Sequence, residues 1–408
     1  MAFKPKIDLD RWNSNLLCGV LCCLPFSKTL AEIGVTAVII LWTFHKVRSR
    51  TWPVRIPGWA LPHALFLGIC LFSLFQVPAS SLGTGLRGLF KWLEYLAVFW
   101  ITLDLAQTKQ SRDFLIRGFL ISMAVVSLNG ALQIFTHQDL IRHRELEPGR
   151  ILRIKSCFPA PNIFAAFLLF AIPLAIEAFQ RTARGTKRKM FYGAGAVLFG
   201  VMLISTFSRG ALIALALAGG LSMLIGRKWK AFAVAAALLA AILAVPVFQQ
   251  NFLGSLTEKD MSVRERRTAW KVAGRMIEKH PWTGIGINLF NTRYDDFRGP
   301  NQKYRGYAHN SYLQLTAETG IPGLLCFILP FFLYFLRRGF RPGAPLELFS
   351  EKTALEIALL AFLIQAAGDN HFFGLETSLL FWIFWALLLS LAGIQAGRNS
   401  GAEKFSSV

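Results

Sequence analysis

Acidic residues are scarce in this chain of 408 residues: 23 Asp and Glu stand against 44 Lys and Arg, a formal charge of +21. Charge of either sign is thin, at 16%, and long runs contain none. Cysteine is sparse too. Cys18, Cys22, Cys23, Cys70, Cys157 and Cys326 show neither the paired spacing of a zinc site nor a disulfide framework, and only Cys157 falls outside an apolar run. Short alternating strand-like segments are missing, which argues against a membrane barrel. Near the N-terminus there is no cleavage-site pattern, and Asp8, Asp10 and Arg11 interrupt it. A cytoplasmic tail ahead of a first span is expected there, not a removable signal. Basicity of this degree would suggest nucleic acid in a soluble protein, but no soluble module is available to bind it, and no nucleic-acid partner is expected.

What the chain has is apolar length. It is 54% hydrophobic with a mean hydropathy of +0.46, which predicts an all-α polytopic membrane protein. Twelve apolar segments are expected to be transmembrane helices: 13–27, 29–45, 58–77, 86–106, 113–136, 160–180, 190–207, 209–226, 230–248, 312–336, 353–370 and 376–396. The first two form a hairpin that turns at Pro25-Phe26-Ser27-Lys28. Lys and Arg collect in alternate loops, at His45–Arg50, Lys109 and Arg112, Arg181–Lys189, Arg227–Lys230 and Arg337–Lys352. The positive-inside rule puts those loops and both termini in the cytoplasm. The expected organisation is nine spans in 1–248 with a basic outer loop at 137–158, a large outer loop at 249–311, and three spans with a tail in 312–408.

Both long outer segments are basic, against the rule. Residues 137–158 carry Arg142, Arg144, Arg150, Arg153 and Lys155. Long translocated loops ignore the charge rule, which permits such loops but does not explain why both are positive. An anionic ligand at the outer face would explain it, and does so better for 249–311 than for 137–158. Val263 to Ile277 has the apolar spacing of an amphipathic helix, Pro281 ends it, and Gly284-Ile285-Gly286 predicts a tight turn. A further short helix is expected over Asn288–Phe297. The large loop should therefore form a mainly helical cap over a cavity at membrane level.

Candidate chemistry concentrates at this face. Arg209 lies between two apolar segments, and Arg264, Arg266 and Arg267 open the amphipathic helix, with Arg266 and Trp270 four apart on one side. Arginine fits phosphate oxygens with a planar fork. His309 stands where the loop meets the next span and can take a proton near neutral pH. His371, after Asp369-Asn370, is the other outer-face histidine. Each has a bland reading beside it: an interfacial arginine that snorkels, a solvated basic face, a structural histidine. Asp295-Asp296 lacks a third ligand at recognisable spacing and reads as a solvated loop. Together, two arginines and a histidine on one face suit a diphosphate leaving group and a hydroxyl nucleophile.

In order and spacing these motifs resemble a known family. His309-Asn310, nine residues, then Gly320 resembles the outer-face signature of the O-antigen ligase and polymerase superfamily. Ser208-Arg209-Gly210-Ala211 resembles its arginine motif before a span. Arg266-Arg267-Thr268-Ala269-Trp270 with His280–Gly286 and Phe290 resembles its long periplasmic loop, and Phe158–Asn162 with Pro173-Leu174 the start of its middle span. The resemblance covers roughly 155–330. It implies a GT-C-like glycosyltransferase of the Gram-negative inner membrane. Such an enzyme takes a glycan from undecaprenyl diphosphate at the periplasmic face and passes it to lipid A–core oligosaccharide, using no metal or other cofactor; a single in-line displacement there would invert the anomeric centre. It implies that His309 is catalytic and that Arg209 and Arg266 bind the donor diphosphate. Arg264, Arg267, Asn310 and Tyr312 would support them, and Arg142, Arg144, Arg150 and Arg153 would meet an anionic acceptor. An O-antigen polymerase or a protein O-oligosaccharyltransferase would share these motifs. A transporter of lipid-linked glycans would instead need polar or broken helices near the bilayer midplane, whereas polar residues here gather at one face.

Overall fold

The computed structural model describes residues 9–51, 60–146, 152–246, 261–300, 306–339 and 350–405. The fold is all-α. Its helices are α1 (Leu9–Cys23), α2 (Lys28–Ser49), α3 (Ala60–Phe72), α4 (Ala79–Leu105), α5 (Lys109–Thr136), α6 (Pro161–Arg181) and α7 (Lys187–Ser205). They continue with α8 (Arg209–Ile225), α9 (Trp229–Ala244), α10 (Met261–Lys279), α11 (Tyr294–Phe297), α12 (Ser311–Gly339), α13 (Glu351–Gln365) and α14 (Leu375–Phe405), with a 3₁₀ turn at His371–Phe373 between the last two. Among the described residues the strand-like pairing is one isolated bridge, Gln138 with Glu145.

Within the described residues each expected apolar segment is helical over most of its length, and the chain turns between Cys23 and Lys28 as its sequence suggests. Local chemistry sets many of the starts. Ser27, Thr108, Thr186 and Ser350 accept from the backbone N–H of Leu30, Ser111, Lys189 and Thr353, so orphan first-turn donors are satisfied by side chains. Lys28–Ser49, Lys109–Thr136, Pro161–Arg181, Lys187–Ser205 and Ser311–Arg337 are long and apolar enough to cross a bilayer, and Leu61–Phe72, Arg209–Ile225 and Leu375–Leu391 are shorter apolar helices. The protein is a polytopic membrane protein, and its backbone polar groups are paired inside helices, as a hydrocarbon surround requires.

α6 and α14 form the axis of the bundle. From Phe164 to Leu174 α6 is buried on every side, as is α14 from Leu379 to Leu388, and a helix apolar all round belongs at the centre. Phe170 of α6 meets Phe362 of α13 and Phe384 of α14, at ring separations of 5.6 and 4.8 Å. Outward, Ile33, Ile40, Phe44 and Phe135 are exposed, side chains that lipid tails would cover. Charged groups within the helices are matched: Lys46 lies 2.6 Å from Asp104, and Lys91 lies 2.8 Å from Glu32 and 2.9 Å from Glu94. At one end of the bundle Arg112 pairs with Glu351 at 3.1 Å, and Arg181 with Asp113 at 3.0 Å and Glu177 at 3.2 Å.

The cap sits at the other end. Its long helix, α10, covers the expected Val263–Ile277. The second expected helix is shorter than predicted, because Gly286 and Asn288 adopt φ of 107° and 61° and turn the backbone away from helix until Tyr294. The cap has its own small core of Val272, Met276, Ile285, Phe290 and Tyr294, closed by Ala317 from α12. It is therefore fused to the bundle by packing.

The fusion is backbone on backbone. Gly320 interrupts α12 with φ 74° and ψ 176°, a conformation open essentially to glycine alone. A Cβ there would lie 2.6 Å from the Trp282 carbonyl carbon and oxygen, and one on Gly284 would lie 2.3 Å from the Glu318 carbonyl. The pair permits Ile285 and Gly286 N–H to reach the carbonyls of Ala317 and Glu318, and Ile321 N–H to reach that of Pro281, at 2.8–3.0 Å. The buried Glu318 carboxylate then accepts from Asn288 N–H at 2.6 Å and Phe290 N–H at 3.2 Å. Gln76 donates to the Gly284 carbonyl at 2.9 Å and ties the same turn to α3 and α4.

Gly320→Ala should cost about 1–3 kcal/mol from backbone strain alone, before the steric conflict with Trp282. The expected result is a lower thermal unfolding temperature in detergent and faster proteolysis in the cap. Unchanged melting and proteolysis would show that the close approach is not needed.

Candidate functional site

The last residues before α12 are held in an unusual shape. His309 has φ 47°, a left-handed conformation that a histidine rarely adopts. Its neighbours account for it. Asn310 is the true start of α12: its side-chain oxygen accepts from Tyr312 and Leu313 N–H, both at 3.0 Å. Asn310 N–H donates to the Asn370 side chain at 2.9 Å, and Asn370 donates in turn to the Gln314 side-chain oxygen at 2.5 Å. That oxygen also takes Ala308 N–H at 3.3 Å. Ser311 bonds the Asp369 carbonyl through its hydroxyl at 2.8 Å and through its N–H at 3.1 Å. The His309 turn is thus clamped to the loop between α13 and α14.

The clamp presents His309 to Asp369. The two lie 3.5 Å apart, Nδ1 to Oδ1, with the imidazole 35% exposed and the carboxylate mostly buried. A proton on Nδ1 facing the carboxylate leaves Nε2 as the accepting nitrogen. Asp369 also accepts from Asn370 N–H at 2.9 Å and from the Asn162 amide at 2.7 Å. Burial by itself would push this carboxyl up. His309, the neighbouring His371 and the Asn370 and Asn162 donors outweigh it and hold Asp369 far below the usual carboxylate range. His371, the other candidate histidine, is fully buried against the Phe362 ring. Burial lowers its pKa, with Asp369 pulling the other way.

Arg209 opens α8 after a sharp corner at Phe207, φ 49°. The corner is near the His309 cluster: Gly210 lies against the Gln365 side chain, and Gln365 donates to the Asn162 carbonyl at 3.3 Å. The segment after the basic loop runs along the same corner. Ile154 N–H reaches the Ser205 carbonyl at 3.0 Å, and Arg153 donates through Nε to the Thr206 carbonyl at 3.0 Å and through Nη2 to the Asn162 side-chain oxygen at 2.9 Å. From the cap, Trp270 donates its indole N–H to the Ala308 carbonyl at 2.8 Å, which fixes α10 beside His309. Arg266 and Arg267 stand four and three residues before Trp270, one turn away on the same side of α10. Arg264 is a further half-turn off and exposed.

The other expected site residues are more dispersed. Tyr312 turns into the bundle, with its hydroxyl on the Leu363 carbonyl at 2.7 Å. Arg142 holds the α1–α2 turn through the Phe26 carbonyl, at 2.8 Å from Nε and also through Nη2. Arg144 reaches the Cys157 carbonyl at 3.4 Å. Arg150 lies outside the described residues. Asp295 and Asp296 pair with Arg298 and Arg293 at 3.1 and 3.2 Å, as a solvated loop would. Asp369 and Asn162 were missed as site residues by sequence reasoning. The signal for Asp369 was its place beside His371; for Asn162 it was a Pro-Asn step opening a mostly apolar helix.

Residues 194–328 match a family model described as O-antigen ligase. Over 169 residues, 38% of this chain, the sequence is 28% identical to the O-antigen ligase of Salmonella typhimurium strain LT2, of which the match covers 41%. The aligned part thus spans about two-fifths of that relative. The family match includes Arg209, the α10 arginines and His309, and stops short of Asp369.

A carboxylate whose pKa is lowered by folding stabilises the fold above its unfolded value of about 3.9, and that contribution fades as pH falls toward the folded value. Asp369→Asn should therefore lower the melting temperature at pH 7, and the gap from wild type should narrow below about pH 4. A gap independent of pH, measured by thermal unfolding in detergent, would rule out a charged Asp369 as the cause.

Proposed function

We propose that the chain is a member of the O-antigen ligase superfamily, to which its family match and its Salmonella relative point, and that it transfers a glycan from undecaprenyl diphosphate to a hydroxyl of lipid A–core oligosaccharide. The reaction is assigned to the periplasmic face of the inner membrane, with both termini in the cytoplasm and the cap over the site. The observation that carries the reading is the partly exposed His309 imidazole backed by the mostly buried Asp369 carboxylate at 3.5 Å, beside the helix starts that carry Arg209 and Arg266.

In this reading the acceptor hydroxyl approaches the anomeric carbon of the donor, and His309 Nε2 accepts its proton. Asp369 keeps the imidazole in the right tautomer and orientation. The bond from the anomeric carbon to the diphosphate oxygen breaks as the new glycosidic bond forms, so a single displacement inverts the centre. The leaving diphosphate gains charge, and the guanidinium groups of Arg209 and Arg266 stabilise it where it develops. Arg264 and Arg267 add to the positive field at the mouth. Asn310 acts by fixing the helix start that aims His309, and Tyr312 by locking that helix to α13.

A general base is worth about 10²–10⁴-fold. His309→Ala should accordingly abolish detectable transfer in a reconstituted assay with lipid-linked donor and lipid A–core, while the protein remains inserted and folded. Transfer at the wild-type rate would defeat the assignment. Arg266→Lys keeps charge but loses the planar fork; a clear drop in donor use is expected, and unchanged donor use would make it a surface charge only. Deleting the protein should leave bare lipid A–core together with free lipid-linked polymer. Single-repeat capping would instead indicate a polymerase, and an unmodified protein acceptor an oligosaccharyltransferase.

A further inference from the structure

Asn162 occupies a position where two neighbours make opposite demands. The Asp369 carboxylate, Oδ2, can only accept, and the Arg153 guanidinium can only donate. The carboxamide answers both, giving Nδ2–H to Asp369 at 2.7 Å and taking Arg153 Nη2–H on Oδ1 at 2.9 Å. Arg153 thereby settles which way the amide points. A carboxylate at 162 would repel Asp369, and an alkyl side chain would leave both neighbours short of a partner.

The bridge is also rigidly mounted. Asn162 is the second residue of α6, directly after Pro161 and two residues before the stretch that is buried on every side. Its backbone carbonyl takes the Gln365 amide at 3.3 Å. Arg153 is also held through Nε by the Thr206 carbonyl at 3.0 Å, two residues before Ser208-Arg209. A continuous line of hydrogen-bonded groups thus runs from the corner that carries Arg209, through Arg153, Asn162 and Asp369, to His309 Nδ1. Chains of this kind polarise along their length and restrict each member's orientation.

We infer that Asn162 and Arg153 are positioning residues for the transfer reaction: they orient Asp369, and through it His309, and touch neither substrate. The inference rests on the function proposed above. It assigns Arg153 to the support of the base and not to the anionic acceptor, where its place in a basic loop would put it.

The test uses full-length protein in proteoliposomes with lipid-linked donor and lipid A–core acceptor. N162A should lower kcat by about 10–10²-fold, the scale of a small misplacement of a catalytic group, with both KM values within about twofold of wild type. In a D369N background the same change should add little, because the residues act as one unit. R153A should follow the same pattern more weakly, with kcat falling and the acceptor KM unchanged. N162D keeps the size and the Arg153 bond but sets two carboxylates against each other. Its activity relative to wild type should rise as pH is lowered from 8 to 6, as the pair takes up a shared proton; this profile decides the matter if N162A fails to fold. Wild-type kcat in N162A, losses that multiply fully with D369N, a flat relative pH profile in N162D, or an R153A effect confined to acceptor KM would each overturn the inference. H309A serves as the reference: if it still transfers, the proposed function has failed; if it is inactive while N162A is normal, only the positioning role has.

Discussion

A carboxylate taken mostly out of water must be answered by donors or it will not stay charged. At Asp369 the donors come from three parts of the chain: His309 before α12, Asn162 at the start of α6, and the backbone of its own loop. The arrangement closes only when α6, α12 and the α13–α14 connection meet at the correct height. Removing any one donor leaves the remaining charge under-satisfied, and removing the charge leaves the donors without a purpose. The geometry of His309 is therefore a property of how the bundle is assembled as a whole.

The cap depends on a different constraint, contact between two stretches of main chain. Gly284 and Gly320 bring the turn after α10 against the break in α12 closely enough for direct backbone hydrogen bonds, and Glu318 seals the junction from below. The nine-residue spacing between Asn310 and Gly320 then has a physical meaning. It is the length of helix that separates the cap's docking point from the imidazole, so a change in that count would rotate His309 about the helix axis by roughly 100° per residue.

The helices were legible because lipid permits little else: long uncharged runs have to be helical, and within the described residues each expected segment is helical over most of its length. The α10 helix was legible from its apolar period, and His309, Arg209 and Arg266 from residue type and position at segment ends. The second cap helix was overestimated because the left-handed turn at Asn288 depends on Glu318, thirty residues later, which local pattern cannot report. Asp369 and Asn162 were hidden for the same reason. Each is unremarkable within its own segment and gains its role from a partner some sixty to two hundred residues away. Arg142 shows the converse: its charge drew it into the group of expected ligand contacts, while its guanidinium holds the Phe26 carbonyl of a helical hairpin.

The indole of Trp270 on the carbonyl of Ala308 has a mechanical meaning. It joins the helix bearing Arg266 and Arg267 to the residue directly before His309, so a shift of one bears on the other. A tilt of α10 as its arginines draw toward an anion would be transmitted to the imidazole through a single strut. In the proposed reaction, engagement of the leaving group and alignment of the base would then be mechanically linked.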